Sequence, residues 1–566
     1  MRKASALAVL GAMALIVPLT AGAAGRDNTK QTYVVLLERG ASIDAARQAV
    51  RRADGRVLSV NRKVGVATVR SSNADFVGDV SRTAAVRGAA HNRPVGEAPA
   101  DQVTDPFAIE RMAGLRARAA GNGYVRRRGG ERPAPLEEPF ADLQWDMKAI
   151  RATASRSYRR QPGNSDVRVG ILDTGIDASH PDIAPNFNRA LSRNFTTDDP
   201  LIDGPCAEDP DGSCTDPADV DEDGHGTHVA GTVAAPINRL GMAGVAPGVE
   251  LVNIRAGQDS GYFFLKPSVD ALTYAADIGV DVVNMSYYID PWLYNCAANP
   301  ADSPEEQLEQ RTIIQATERA LAYARSRGVT LVSAEGNGNT DLGKPVTDVT
   351  SPDYPPENER ERAIDNSCKS MPLEAPGVVG VTSFGPSGRK AYYSDYGVEQ
   401  ADVSAPGGDR RDFFGTPDYD TPANTIIAPY PKSLAILNEE LNPDGTPNTP
   451  FVLADCSRGA DQCAYYQYLQ GTSMASPHAV GVAALIVASR GRRDRRHGGL
   501  TLSPRTVEKV LKGTARDRPC PEPRTFTYPD PDLTPDHTAV CEGTAEFNGF
   551  YGHGTVDAYA ASARRR

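Results

Sequence analysis

Gly471-Thr472-Ser473-Met474-Ala475-Ser476-Pro477-His478 runs directly into the apolar segment 479–488. A serine flanked by small residues at the mouth of a helix has the setting a nucleophile needs. Gly471 permits a tight turn, the small neighbours leave Oγ open, and the helix N-terminus favours negative charge developing nearby. A serine hydroxyl is a weak nucleophile alone, so the reading requires a base and an acid that orients it. Two segments offer them. Val169-Gly170-Ile171-Leu172-Asp173-Thr174-Gly175-Ile176-Asp177 puts Asp173 at the end of an apolar strand-like run. Asp223-Gly224-His225-Gly226-Thr227-His228-Val229-Ala230-Gly231 puts His225 at the start of a small-residue helix.

Strand and helix patterns alternate along residues 141–562. Segments 167–172, 251–255, 280–285, 329–334, 378–382 and 401–404 read as strands, and 225–235, 312–327 and 503–512 as helices. Such alternation predicts an α/β fold, a doubly wound, mostly parallel sheet covered on both faces. Ligands in these sheets gather at the carboxyl ends of strands. Asp173, Ser286 and Asn337 lie at or just past such ends, while His225 and Ser473 open helices. All five are expected on one rim.

In the chain order Asp, His, Ser, the three motifs resemble the subtilisin-like serine proteases, the subtilases. The resemblance covers Gln144 to Ala561, with long insertions at 198–222, 291–310, 340–376 and 408–469. It implies a catalytic triad of Asp173, His225 and Ser473. In Ser333-Ala334-Glu335-Gly336-Asn337-Gly338 it implies that Asn337 donates to the oxyanion beside the backbone N–H of Ser473. Asn284-Met285-Ser286-Tyr287-Tyr288 resembles the substrate-binding strand, so Ser286 and Tyr287 are expected to pair with substrate. Relatives commonly have glycine where Tyr288 stands, and a narrowed or reshaped pocket is expected there. Asp223 falls where the histidine loop lines the next subsite upstream, and its carboxylate would attract Lys or Arg. His228 matches a structural histidine rather than a metal ligand. Asp219-x-Asp221-x-Asp223-Gly224 starts like a calcium loop, but position twelve is Ala230, so that reading fails. Asp182 and Asn238 match structural calcium ligands of the family, with Glu138 a looser third. No catalytic cofactor is implied.

Residues 1–24 carry Arg2-Lys3, an apolar run and Ala21-Gly22-Ala23-Ala24, the pattern of a secretory signal peptide. Residues 30–97 follow as strand, helix, strand, strand, helix, strand, the ferredoxin-like α+β plan. Ahead of a subtilase domain, this unit resembles the family's inhibitory propeptide. Residues 98–140, rich in Pro, Gly, Ala and Arg, read as a linker and processing region, with Arg126-Arg127-Arg128 a candidate cleavage point. The net charge of −11 disfavours nucleic acid as a partner. Eight cysteines in an exported chain point to disulfides rather than zinc, since none has Cys-x-x-Cys spacing with supporting histidines. Proximity pairs Cys206 with Cys214, Cys456 with Cys463 and Cys520 with Cys541, leaving Cys296 with Cys368; composition alone does not settle the connectivity.

The reading is a secreted, extracellular serine endopeptidase that cleaves peptide bonds through an acyl-enzyme. It is expected to be monomeric, free of the membrane once the signal is removed, and inhibited by its own propeptide until processed. Two rivals stand beside it. A catalytically silent binding protein on the same fold is disfavoured by intact Asp173, His225, Ser473 and Asn337. A peptide ligase or transpeptidase is disfavoured because such enzymes use cysteine or a crowded nucleophile helix.

Overall fold

Seven strands lie side by side in the order Ala401–Pro406, Val378–Phe384, Thr330–Ala334, Val282–Met285, Arg168–Leu172, Glu250–Arg255 and Arg193–Asn194, and every pairing is parallel. This computed structural model describes residues 30–92, 110, 136–207, 212–354, 358–459, 462–533 and 537–563. The expected signal peptide, most of the expected linker and the arginine runs at 126–128 and 564–566 lie outside the described residues. From Arg168–Leu172 the chain first builds one flank of the sheet and then returns to build the other from Val282–Met285. The switch point therefore falls between the strands that end at Asp173 and Ser286, where an open α/β sheet forms its binding crevice.

Helices cover both faces, as parallel strands of near-continuous apolar sequence require. On one face His225–Ala234 and Thr472–Arg490 pack into a core with Val169, Ile171, Val332 and Val381. Residues 472–487 of the longer helix are all buried, which is why its sequence shows no polar stripe. On the other face Leu265–Ile278 and Pro304–Ser326 pack on Val252, Val283 and Leu331. Burying each such branched side chain contributes about 1.5–3 kcal/mol before chain entropy is counted.

Three features differ from the sequence expectation. The helix expected from 312 begins at Pro304, because Ser303 and Glu306 form a reciprocal capping box inside what reads as an insertion. Leu265–Ile278 is a helix where none was expected; Pro267, a helix breaker in sequence, sits in its first turn, where no N–H is needed. The 408–469 insertion contains a three-stranded antiparallel sheet of Ile426–Pro429, Ala464–Leu469 and Val452–Asp455. Its middle strand leads straight into Gly471 and so delivers the serine helix. The four disulfides join Cys206–Cys214, Cys296–Cys368, Cys456–Cys463 and Cys520–Cys541.

Residues 30–92 form a four-stranded antiparallel sheet, ordered Gly55–Asn61, Val66–Ser71, Gln31–Leu37, Val86–His91, with helices Ile43–Arg52 and Phe76–Ser81. Val34, Leu36, Val66 and Ala90 on its other face share a core with Ile313, Ala316 and Ala320 of the helix Pro304–Ser326. Polar contacts fix the seat: Asn61 Nδ2 donates to Asp270 and Thr273 at 2.8 Å each, and Arg319 donates to the Leu37 carbonyl at 2.7 Å.

Candidate active site at the switch point

Asp173 leaves the strand Arg168–Leu172 with its carboxylate fully buried. His225 Nδ1 lies 2.6 Å from Asp173 Oδ1, which also accepts the Thr174 N–H at 2.9 Å. The two loops can approach only because residue 226 is glycine: a Cβ there would stand 2.1 Å from the Gly175 carbonyl oxygen. Burial raises the Asp173 pKa, opposed by His225. Burial by itself would depress His225, but Asp173 and Glu110 on its two sides hold it well above the usual histidine value.

Ser473 is the second residue of the helix Thr472–Arg490. Its Oγ donates to the Ser286 carbonyl at 3.4 Å. Pro477 lies four residues on and has no N–H for the Ser473 carbonyl, which the helix would otherwise leave unpaired. Ser286 Oγ supplies the missing donor at 3.1 Å, and is itself held by Asn284 Nδ2 and Ser476 Oγ at 2.9 Å each. The Ser286 side chain thus pins the serine turn. Tyr287 turns its ring into the wall, stacked on Phe263 with centroids 4.2 Å apart.

Asn337 follows the strand Thr330–Ala334, and its amide orientation is set by neighbours. Its Oδ1 accepts from both the N–H and the hydroxyl of Thr472 at 3.0 Å, and Gly336 N–H donates to that hydroxyl at 3.0 Å. Nδ2 is thereby directed into the cleft.

What Nδ2 meets there was not legible in the sequence. Glu110, only 1% exposed, puts Oε1 2.9 Å from Asn337 Nδ2 and Oε2 3.0 Å from His225 Nε2. Gly471 makes room for it: φ is +150°, and a Cβ would stand 2.7 Å from Glu110 Oε1. A lone glutamate in an Ala-, Arg- and Gly-rich stretch carries no sequence signal of such a role.

Other expected residues take quieter places. His228 Nε2 meets the Ile426 and Gln467 carbonyls at 3.0 and 3.2 Å, and burial lowers its pKa to about 3. Asp221 accepts from Gly224, Thr227 and Thr174, so its oxygens serve the histidine loop. Asp223 Oδ1 accepts the His225 N–H at 2.9 Å and lines a small cleft with His225 and Leu469. Tyr288 is held aside by donating to Asp353 Oδ2 at 2.6 Å, and a cavity of about 280 Å³ remains open beside it.

Two acidic groups invite a cation. Asp198, Asp216 and Asp259 converge, but the fully buried guanidinium of Arg255 already stands among them, with Nη2 2.8 Å from Asp259 and 3.3 Å from Asp198, and Nη1 on Asp216. That guanidinium supplies a positive charge within the cluster, while Asp216 Oδ1 stays buried with no hydrogen-bond partner. Glu138, Asp182 and Asn238 form the other group. Asn238 Nδ2 donates to Asp182 Oδ1 at 2.9 Å, and the Arg239 N–H to Glu138 Oε1 at 3.0 Å. Glu138 Oε2 and Asn238 Oδ1 are buried with no hydrogen-bond partner, hard oxygens of the kind calcium takes.

Residues 164–554 match the model of the subtilase family, Peptidase S8, and the chain belongs to that family. It is similar to a thermophilic serine proteinase of Bacillus sp. strain AK1, 28% identical over 359 residues, which is 63% of this chain and 58% of that protein. Subtilisin BL of Lederbergia lenta is 27% identical over 344 residues, 61% of this chain and 84% of that protein. The chain thus spans 58% of the first relative's length. A similar solved structure is the epidermin leader peptide processing serine protease of Staphylococcus aureus, with TM-score 0.58 and 19% identity over 94% of this chain and 98% of that one. At that identity the likeness concerns the fold.

Proposed function

We propose that the chain is a secreted serine endopeptidase made as a preproenzyme. Ser473 Oγ attacks a peptide carbonyl while His225 Nε2 takes its proton and later passes it to the leaving amine. Asp173 orients the imidazole and stabilises its protonated form. Asn337 Nδ2 and the Ser473 N–H hold the oxyanion, and water releases the acyl group. The observation that carries this reading is the Glu110 carboxylate, which meets His225 Nε2 with one oxygen and Asn337 Nδ2 with the other. A base and an oxyanion donor that converge on one carboxyl group are placed to handle the carboxyl product of hydrolysis.

The same contact supports self-inhibition. Glu110 fills the donor site and helps keep His225 protonated, so the base takes the serine proton slowly until Glu110 leaves. Residues 30–97 would template and inhibit the domain, and cutting within 98–140 would withdraw Glu110. A fluorophosphonate, which reacts with activated serines, should label Ser473 in the matured protein and label the uncut chain far more slowly. No labelling of Ser473 in matured protein, together with no peptide hydrolysis, would refute the reading.

Glu138, Asp182 and Asn238 would hold a structural calcium ion. Binding to the folded state alone adds about 2.7 kcal/mol at a hundred times Kd. Chelator should therefore lower the unfolding temperature, and Asp182→Ala should remove that calcium dependence. An unfolding temperature indifferent to chelator in the parent chain counts against the site.

A further inference from the structure

Beside Ser473 a cavity of about 280 Å³ runs between Ser286–Tyr288 on one wall and Ala334–Gly338 on the other. Among the described residues lining it, six are acidic and none is basic: Glu110, Asp290, Glu335, Asp353, Glu359 and Asp395. Glu110 reaches His225 and Asn337, and Asp395 accepts the Thr340 N–H at 2.7 Å.

Asp290 and Asp353 are different. Each is 3% exposed, and they share a hydrogen bond with one another. Tyr288 donates to Asp353 Oδ2 and the Phe263 N–H to Asp290 Oδ2, which fixes one oxygen of each. Apart from the proton the pair shares, neither Oδ1 meets a donor. Burial, then the facing Asp353, drives Asp290 well above the usual carboxylate range; burial lifts Asp353 to about 6 against the pull of its two donors. At neutral pH the pair therefore keeps one proton and about one negative charge. A buried charge without a counter-ion is costly unless something supplies one.

We infer that this cavity receives the side chain of the substrate residue whose carbonyl Ser473 attacks, and that Asp290 and Asp353 make it select a cation there, arginine above lysine. The planar guanidinium presents paired donors that match two carboxylate oxygens, which a point ammonium charge does not. The Tyr287–Phe263 stack gives the aliphatic stem an apolar wall. The sequence offers a matching substrate in cis, since residues 98–140 contain seven arginines and no lysine. This inference rests on the hydrolytic reading and names the substrate class of the same site.

The test uses protein secreted and matured from the full chain, with three peptides identical except for Arg, citrulline or Leu at the selected residue. Citrulline keeps the shape of arginine without its charge. kcat/KM for Arg should exceed both others by at least about 30-fold, the scale of truncating a buried charge pair. Asp353→Asn and Asp290→Asn should each lower the Arg-to-citrulline ratio about tenfold. Cleavage with a ratio near one, or with Leu preferred, overturns the cationic pocket and leaves hydrolysis standing. No cleavage of any peptide, with no fluorophosphonate labelling of Ser473, overturns both. The first comparison uses the unmodified chain, so a variant that fails to fold does not decide the matter.

Discussion

Ser473→Ala is expected to lower kcat by about 10⁶, the size of loss subtilisin shows for its own serine, and to leave residues 30–97 joined to the rest of the chain. Among the described residues, no other nucleophile is placed to take over. The four disulfides use all eight cysteines, so no thiol is free. Ser286 and Ser476 hydroxyls are bound to one another and to Asn284. The variant should be secreted as a single uncut chain when made in a host stripped of other proteases. Mass measurement of the secreted product checks this directly. Complete processing would mean that another enzyme cuts the linker, and residual turnover above about 10⁻³ of the parent would mean that another group acts as nucleophile.

Asn337→Ala should cost about 10²–10³ in kcat while KM stays within a few-fold, because in the proposed mechanism Nδ2 serves charge that develops only after attack. The subtilisin family itself supplies that magnitude. The complication is the other end of the amide, whose Oδ1 anchors Thr472 through two hydrogen bonds at 3.0 Å. A broken anchor would move the serine turn and raise KM as well. The split between kcat and KM therefore separates the two roles, and denaturant unfolding of the variant measures the anchor alone. A fall in kcat under threefold, or one matched by an equal rise in KM, removes Asn337 from the oxyanion site.

Much of this site could be read from sequence because the chemistry constrains residues locally. An acid at a strand end, a histidine and a serine at helix starts, and glycines at close approaches leave marks over a few residues. The sheet was legible for the same reason, since buried parallel strands are short apolar runs. What escaped depends on contacts distant in sequence. Glu110 lies in a stretch whose composition says only linker. Asp290 borders one insertion and Asp353 lies in another, and they become a pair only when folded. Arg255 reads as the last residue of a strand; Asp259 follows four residues on, but Asp198 and Asp216 come from a distant insertion. Leu265–Ile278 was hidden by Pro267, which local reading treats as a break and the first helical turn accepts.

None of the four disulfides lies in the seven-stranded sheet. Cys296 and Cys368 face each other in a short ladder; Asp290 and Leu293 precede one, and Ser370 and Leu373 follow the other, all four lining the cavity beside Ser473. Where thiols stay reduced, the sheet and the serine helix keep their cores, but this wall would be held by packing alone. On the proposed function, a reducing compartment would blunt discrimination between substrates before it unfolds the protein, and oxidation on the proposed export would be a step in setting what it cuts.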